Sequence, residues 1–385
     1  MPAAREAKRE GQGEERERGT LRKRRAVAAW IVLFCVAGAA RASSDGEAAT
    51  KADAAVEAQR KAQKIPGVGL AVCRDGKLVK ASGYGLGNVE WNDAVTPETI
   101  FQTGSVGKQF TAMAVMMLVE EGKIGLDEKL SKYVPESPTI WKDVTIRNLL
   151  SHTSGIADYA GDNGPLGNAV VDLRRDYTEE ELITAFSKMK MDFEPGEKWS
   201  YSNSGYVLLG VVIHRVTGKF YGEVLQERIF RPLGMSSTRI ISEEDIVKQR
   251  SGGYRLVKDE LKNQEWVAPS LNTTADGALY TNVLDLSKWD AALREKKFVK
   301  ASSYEAMWSP VKLNDGKTYP YGFGWFLEDK GGYKAVSHTG SWQGFTMAIN
   351  RYEKEGLTVI VMTNLDSEHC KPEKIAEDVA AVYLK

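Results

Sequence analysis

The sequence predicts an α/β protein of the α+β kind: one antiparallel sheet built from both chain ends and flanked by helices, with an all-helical lobe inserted between. Three observations carry this. Short β-rich runs occur near the start of the body and return after residue 310, helical periodicity fills the middle, and Gly/Asn/Pro-rich turns separate the pieces.

In chain order, Ser43 to Ala62 is Ala-rich and charged, and reads as an exposed helix stopping before Pro66. Val68–Arg74 and Lys77–Ser82 flank Asp75-Gly76, a type I′ hairpin signal. Helical patterns come next at Phe110–Glu121, Ile146–Leu150, Thr178–Met189, Ser204–Thr217, Tyr221–Ile229 and Asp285–Leu293. Strands return at Phe323–Glu328, Tyr333–His338, Phe345–Tyr352 and Leu357–Thr363, with turn material at 329–332, 340–344 and 353–356. A last helix places Ile375, Val379, Val382 and Tyr383 on one face. The sheet lobe is therefore expected at about 64–104 and 310–385, and the helical lobe at about 105–309.

The N-terminus predicts export. A basic stretch precedes an uncharged run, Ala26 to Ala40, and Ala40-Arg41-Ala42 has the small-x-small form of a signal-peptidase site. Residues 1–42 read as a signal peptide and 43–63 as a linking helix, which makes the body periplasmic or secreted. As a helix the run reaches about 22 Å, short of the roughly 30 Å of a membrane core. If left uncleaved it would act as an N-terminal membrane anchor. Cys35 follows Phe34, where a lipoprotein signal needs a small residue, and reads as part of the signal core.

Of 52 Lys+Arg and 52 Asp+Glu, nine bases and five acids lie in the first 25 residues. With Arg41 also set aside, the body from Ser43 carries a net charge of −5. A mildly acidic body excludes a nucleic-acid footprint, and the partner expected is a small molecule or peptide. The four histidines show no metal-ligand spacing, so no metal or cofactor is expected. Cys73 and Cys370 are left either paired or free.

The chemistry concentrates in three places. Ser105-Val106-Gly107-Lys108 opens a helix that is apolar without a break from Ala112 to Val119, as a helix buried on every side would be. Ser105 and Lys108 share a face at i, i+3. A desolvated lysine can lose its charge and take the proton of a serine hydroxyl. Two further Ser-x-x-Lys matches, Ser187/Lys190 and Ser309/Lys312, sit in surface-like surroundings. Tyr201-Ser202-Asn203, between a turn and a helix, offers a phenol as proton carrier and an amide as substrate ligand. Tyr280-Thr281-Asn282 has the same form and reads as a helix cap near Asp285. Finally, His338-Thr339-Gly340-Ser341 at a strand end suits recognition of a carboxylate or carbonyl. Were the His338 imidazolium the reader of a carboxylate, affinity would weaken as pH rises through roughly 6 to 7.

Ser-x-x-Lys, Tyr-x-Asn and His-Thr-Gly, in this order, resemble the serine β-lactamase and penicillin-binding-protein superfamily. The likeness is to the branch of class C β-lactamases, D-alanyl-D-alanine carboxypeptidases and related esterases. It extends from about Lys64 to Tyr383, through Ile65-Pro66-Gly67-Val68-Gly69, Phe101-Gln102-Thr103-Gly104-Ser105, Leu149-Leu150-Ser151-His152-Thr153-Ser154-Gly155-Ile156, Gly277-Ala278-Leu279-Tyr280 and Met362-Thr363-Asn364. The resemblance implies the β-lactamase/transpeptidase fold and an acyl-enzyme on Ser105. It also implies proton transfers shared by Lys108 and Tyr201, and a substrate amide held by Asn203. The oxyanion hole would be made of the Ser105 and Ser341 backbone N–H groups, and His338, Thr339, Gly340 and Ser341 would meet the substrate. His338 stands where the β-lactamases carry lysine and looks like the histidine of some carboxypeptidases and D-amino-acid peptidases. The function implied is an exported serine hydrolase acting on D-Ala-D-Ala-type peptides, β-lactams or related amides and esters. A carboxylesterase of the same fold and a silent penicillin- or peptide-binding module are its rivals. Specificity is expected to lie in loops such as Asp158–Asp172 and around Trp342.

Overall fold

The computed structural model describes residues 46–160, 170–240 and 244–384. The expected signal peptide, 1–42, and part of the loop 158–172 lie outside them. By its contacts the chain divides between Lys51 and Ala52. Of the first unit the described residues, 46–51, are helical. The second, Ala52–Lys385, holds the sheet and the site.

Helix α1 (52–62) precedes strands β1 (Gly67–Arg74) and β2 (Lys77–Asn88) and the short β3 (Asp93–Ala94). The hairpin between β1 and β2 turns on Asp75 and Gly76, whose φ angles of 52° and 73° are the pair that a type I′ turn requires. The middle of the chain supplies α2 (Lys108–Glu120), α3 (Ile146–Leu150), α4 (Glu179–Ser187), α5 (Asn203–Thr217), α6 (Tyr221–Leu225) and α7 (Val283–Arg294). After the short α8 (Ala301–Met307) come β4 (Phe326–Lys330), β5 (Tyr333–Trp342), β6 (Phe345–Tyr352), β7 (Leu357–Thr363) and α9 (Pro372–Tyr383).

The strands form one antiparallel sheet in the order β4-β5-β6-β7-β1-β2-β3. The N-terminal strand β1 thus lies inside the sheet, paired with β7 from Val68↔Thr363 to Arg74↔Leu357 and with β2 on its other edge. Gly69 faces Val283 of α7, whereas Arg74 donates to the Tyr383 carbonyl of α9 at 2.9 Å. Odd and even positions of a strand point to opposite faces, so α7 covers one face and α9 the other. Helix α2 is buried on all sides, with Phe110, Met113, Val115 and Leu118 at the centre of the main hydrophobic cluster.

Three details depart from the sequence reading. The stretch expected to be all-helical contains a hairpin, Tyr254–Val257 with Glu260–Asn263, tied to Leu365–Asp366. Helix α7, expected in the helical lobe, packs on the sheet. Strand β5 does not end at His338 but pairs with β6 as far as Trp342↔Phe345, because Gln343 and Gly344 close the turn with φ of 42° and 82°. Cys73 and Cys370 are both free and buried.

Candidate active site

Ser105 sits on a 3-10 turn, Gly104–Gly107, that feeds directly into α2. It is partly exposed in an otherwise buried stretch. One turn on, Lys108 is fully buried and its Nζ donates to Ser105 Oγ at 3.0 Å, to Asn203 Oδ1 at 2.7 Å and to the Asp276 carbonyl. Burial pulls the ammonium pKa down from 10.5 to about 8, against the opposing pull of the Asp276 and Asp158 carboxylates. A lysine in that state is a usable base for a hydroxyl 3.0 Å away.

Tyr201 enters from the other side, on the loop before α5, with Lys108 Nζ 4.8 Å from its ring centre. Burial drives the phenol pKa well above 10, while the neighbouring Ser105 hydroxyl pulls it the other way. The phenol therefore rests protonated. Asn203 opens α5. Its carbonyl holds Lys108, and its Nδ2 and backbone N–H donate to the two carboxylate oxygens of Asp158, each at 3.0 Å. Much of the amide expected to meet substrate is thus spent on orienting the base.

The turn bearing Ser105 lies hard against β5. A Cβ on Gly340 would fall 2.9 Å from the Ser105 nitrogen, and one on Gly104 would fall 2.5 Å from the Ser341 nitrogen. Only glycines let the two backbones approach so closely, and the approach places the backbone nitrogens of Ser105 and Ser341 on adjoining segments. Thr339 and Ser341 are exposed along the same strand, and Ser341 Oγ donates to Asp366 at 2.9 Å.

His338 is not the imidazolium that its place in the sequence suggests. Its Nδ1 donates to the Thr339 carbonyl, and its Nε2 accepts from the Tyr321 hydroxyl at 3.1 Å. Burial lowers its pKa to about 3, so the ring is neutral near pH 7 and both nitrogens are committed. The Tyr321 oxygen also accepts from His152 Nε2 at 3.1 Å, and His152 Nδ1 accepts from the Ser202 N–H at 3.1 Å. The imidazole of His152 lies against Tyr201, ring centres 4.2 Å apart. A single chain of hydrogen bonds therefore runs from Ser202 through His152 and Tyr321 to His338, and it packs against the phenol of Tyr201.

The other matches are elsewhere. Ser187 is half-buried and Ser309 exposed, and they donate to the Thr184 and Glu305 carbonyls, each within its own helix or just beyond it. Asn282 caps α7, accepting from the Asp285 N–H at 2.9 Å. His152 shows in the sequence only inside the segment Leu149–Ile156 that carries the family resemblance, with no role attached, and three further residues of the site carry no chemical signal there: Asp158, Asp276 and Tyr321. Each comes from a loop, and Asp158 stands out there only as one end of a loop expected to govern specificity.

Two cleft arms meet at Ser105. One, of about 230 Å³, is lined by Asn203, Asp276, Tyr159, Leu271, Ser341 and Trp342 among others. The other, of about 420 Å³, holds Tyr201, His338, Thr339 and Gly340, with Asp366, Lys371 and Glu373 further out.

A buried lysine 3.0 Å from a serine hydroxyl, with a phenol ring 4.8 Å from its Nζ, is the chemistry gathered here between the sheet and the helices. The family model "Beta-lactamase" matches residues 52–383, and the chain belongs to that family of hydrolases. A penicillin-binding protein of Bacillus subtilis is 31% identical over 309 residues, 76% of this chain and 67% of its own. A D-aminopeptidase of Brucella anthropi is 27% identical, over 79% of this chain and 57% of the relative. Among solved structures, the octameric penicillin-binding protein homologue of Pyrococcus abyssi superposes with a TM-score of 0.75 at 33% identity, covering 87% of this chain and 77% of that one. The D-amino acid amidase of Ochrobactrum anthropi SV3 matches at the same TM-score of 0.75 with 24% identity, over 89% of this chain and 99% of that one, a likeness of fold.

Proposed function

We propose that this chain is an exported serine hydrolase that cleaves amide or ester bonds of D-amino-acid derivatives through an acyl-enzyme on Ser105. The observation that carries the reading is the 3.0 Å contact between Ser105 Oγ and a fully buried Lys108 whose pKa is held at about 8. Lys108 in its neutral form takes the hydroxyl proton as Oγ attacks the carbonyl, and the N–H groups of Ser105 and Ser341 hold the oxyanion. Tyr201 passes its proton to the leaving nitrogen or oxygen and recovers one from the Lys108 ammonium. Water then attacks the ester carbonyl and gives its proton to the same pair, which returns one to Ser105 Oγ as the acyl–Oγ bond breaks, so that the acid leaves and the Ser105 hydroxyl is restored. Relatives named D-aminopeptidase and penicillin-binding protein support the D-amino-acid class. The absence of a charged imidazole at His338 weighs against a site built around a carboxylate at that position.

The full chain treated with a fluorophosphonate should carry one adduct, mapped by peptide mass to Ser105, and Ser105→Ala should neither label nor turn over a D-alanine anilide. Labelling at Ser187 or Ser309, or retained activity in Ser105→Ala, would remove the proposal. Export through residues 1–42 belongs to the same reading, supported by the basic stretch, the apolar run and the Ala40-Arg41-Ala42 site. N-terminal sequencing of the protein recovered from a periplasmic or culture fraction should begin at Ser43. Among the described residues no helix is long and apolar enough to cross a membrane.

A further inference from the structure

The two arms of the cleft take different halves of the substrate. Tyr201 must reach the leaving atom, so the leaving group lies in the arm with Tyr201 and His338. The acyl group falls in the other, beside Asn203, Ser341 and Asp276. That acyl arm has about 230 Å³, below the roughly 300–1,000 Å³ of pockets for drug-sized ligands, so it suits one small residue.

Its walls include Tyr159, Leu271 and Trp342, and among its described lining residues there is no lysine, arginine or histidine. It has one carboxylate. Asp276 is 9% exposed, and Tyr159 Oη donates to its Oδ2 at 2.9 Å. No hydrogen-bond donor among the described residues reaches its Oδ1. The position is fixed against the reaction centre, because the Asp276 carbonyl accepts from the Lys108 Nζ that touches Ser105 Oγ, and Gly277 packs on the Ser105 nitrogen. Asp158, behind Asn203, adds a second negative charge near the single ammonium of Lys108. Once Lys108 acts as a neutral base, the acidic charge near the acyl arm is uncompensated.

We infer that Asp276 is a specificity-determining residue that reads a free α-ammonium on the acyl half of the substrate, so that the enzyme prefers unblocked D-aminoacyl amides to N-acylated peptides. This rests on the acyl-enzyme reading above and adds which end of a peptide is used. A charged amine placed there completes the coordination of a nearly buried carboxylate, whereas an N-acyl group would bring an uncharged carbonyl against it.

The test uses three p-nitroanilides with the full-length protein: D-alanyl, its uncharged isostere D-lactyl, and N-acetyl-D-alanyl. The wild type should favour D-alanyl over D-lactyl in kcat/KM by roughly tenfold or more, the scale of a hydrogen bond to a charged group, and should disfavour the N-acetyl substrate. Asp276→Asn, which keeps the Tyr159 contact, should bring the D-alanyl to D-lactyl ratio toward one. A ratio near one in the wild type, a preference for the N-acetyl substrate, or a ratio that survives Asp276→Asn overturns the inference. The wild-type comparison decides even if the variant fails to fold. Turnover of the D-lactyl and N-acetyl substrates at rates matching D-alanyl, with Ser105 acylated, would leave the acyl-enzyme reading intact while this inference fell. No turnover and no acylation with any of the three would remove both.

Discussion

At the residue scale the proposed mechanism divides its proton chemistry between two groups that burial pushes in opposite senses. Desolvation disfavours the charged form of each, so Lys108 is pulled down toward neutrality and Tyr201 is held as the neutral phenol. The consequence can be read in a pH profile. Since Lys108 must be unprotonated to accept a proton and its pKa is about 8, kcat/KM for an N-acetylated anilide should rise with pH along one limb centred near 8. No limb should appear between 6 and 7, because His338 with a pKa of about 3 does not change charge there. Tyr321→Phe removes the donor to His338 Nε2 and the acceptor of His152 Nε2. It should lower kcat by roughly tenfold through misplacement of Tyr201, with less effect on KM. A fall in kcat without a matching rise in KM is the signature of the broken chain. An unaltered profile with unaltered kcat would show that Tyr321 positions nothing.

At the scale of elements, the nucleophile depends on one helix start and one strand meeting backbone to backbone. Gly340→Ala would put a methyl group 2.9 Å from the Ser105 nitrogen and 3.0 Å from that of Val106. The turn and β5 must then part, and loss of one oxyanion donor should reduce kcat by roughly 10²–10³-fold, with KM changed far less. Steady-state kinetics beside a thermal melt separates this from unfolding. The same scale explains what is legible in the sequence. Ser105 and Lys108 can be read together because a single turn joins them and the apolar run behind them announces burial. The Asp75-Gly76 hairpin and the Asn282 cap are legible for the same local reason. Asp276 and Tyr321 are not, since Asp276 meets Lys108 across 168 positions of sequence and Tyr321 meets His152 across 169, with no periodicity marking either. The continuation of β5 through His338 is hidden because Gly340 resembles turn material, whereas in the fold it serves the close approach of Gly104.

At the scale of the molecule, sheet and helices are fastened by a buried ion pair. Arg351 on β6 meets Asp290 on α7, with side chains 1% and 3% exposed, and Thr358 of β7 donates to the same carboxylate at 2.6 Å. Asp290→Ala strands a buried guanidinium, with Glu353 left as its ionic neighbour, and should cost about 3–5 kcal/mol. Urea unfolding checks this, and the Asp290→Leu/Arg351→Met pair should be less damaging than either single change, since it removes both charges.

The place of β1 between β2 and β7 sets an order of events during synthesis. Val68 cannot find Thr363 until the chain has been made at least as far as residue 363, so this part of the sheet closes after the helices before it. The strand bearing Ser341 also emerges late, after the turn bearing Ser105 has long been available. A partly made chain can therefore form its local helices and yet hold no reactive serine. For export as proposed, this timing keeps the chain loose and chemically silent until Leu357–Thr363 has been made.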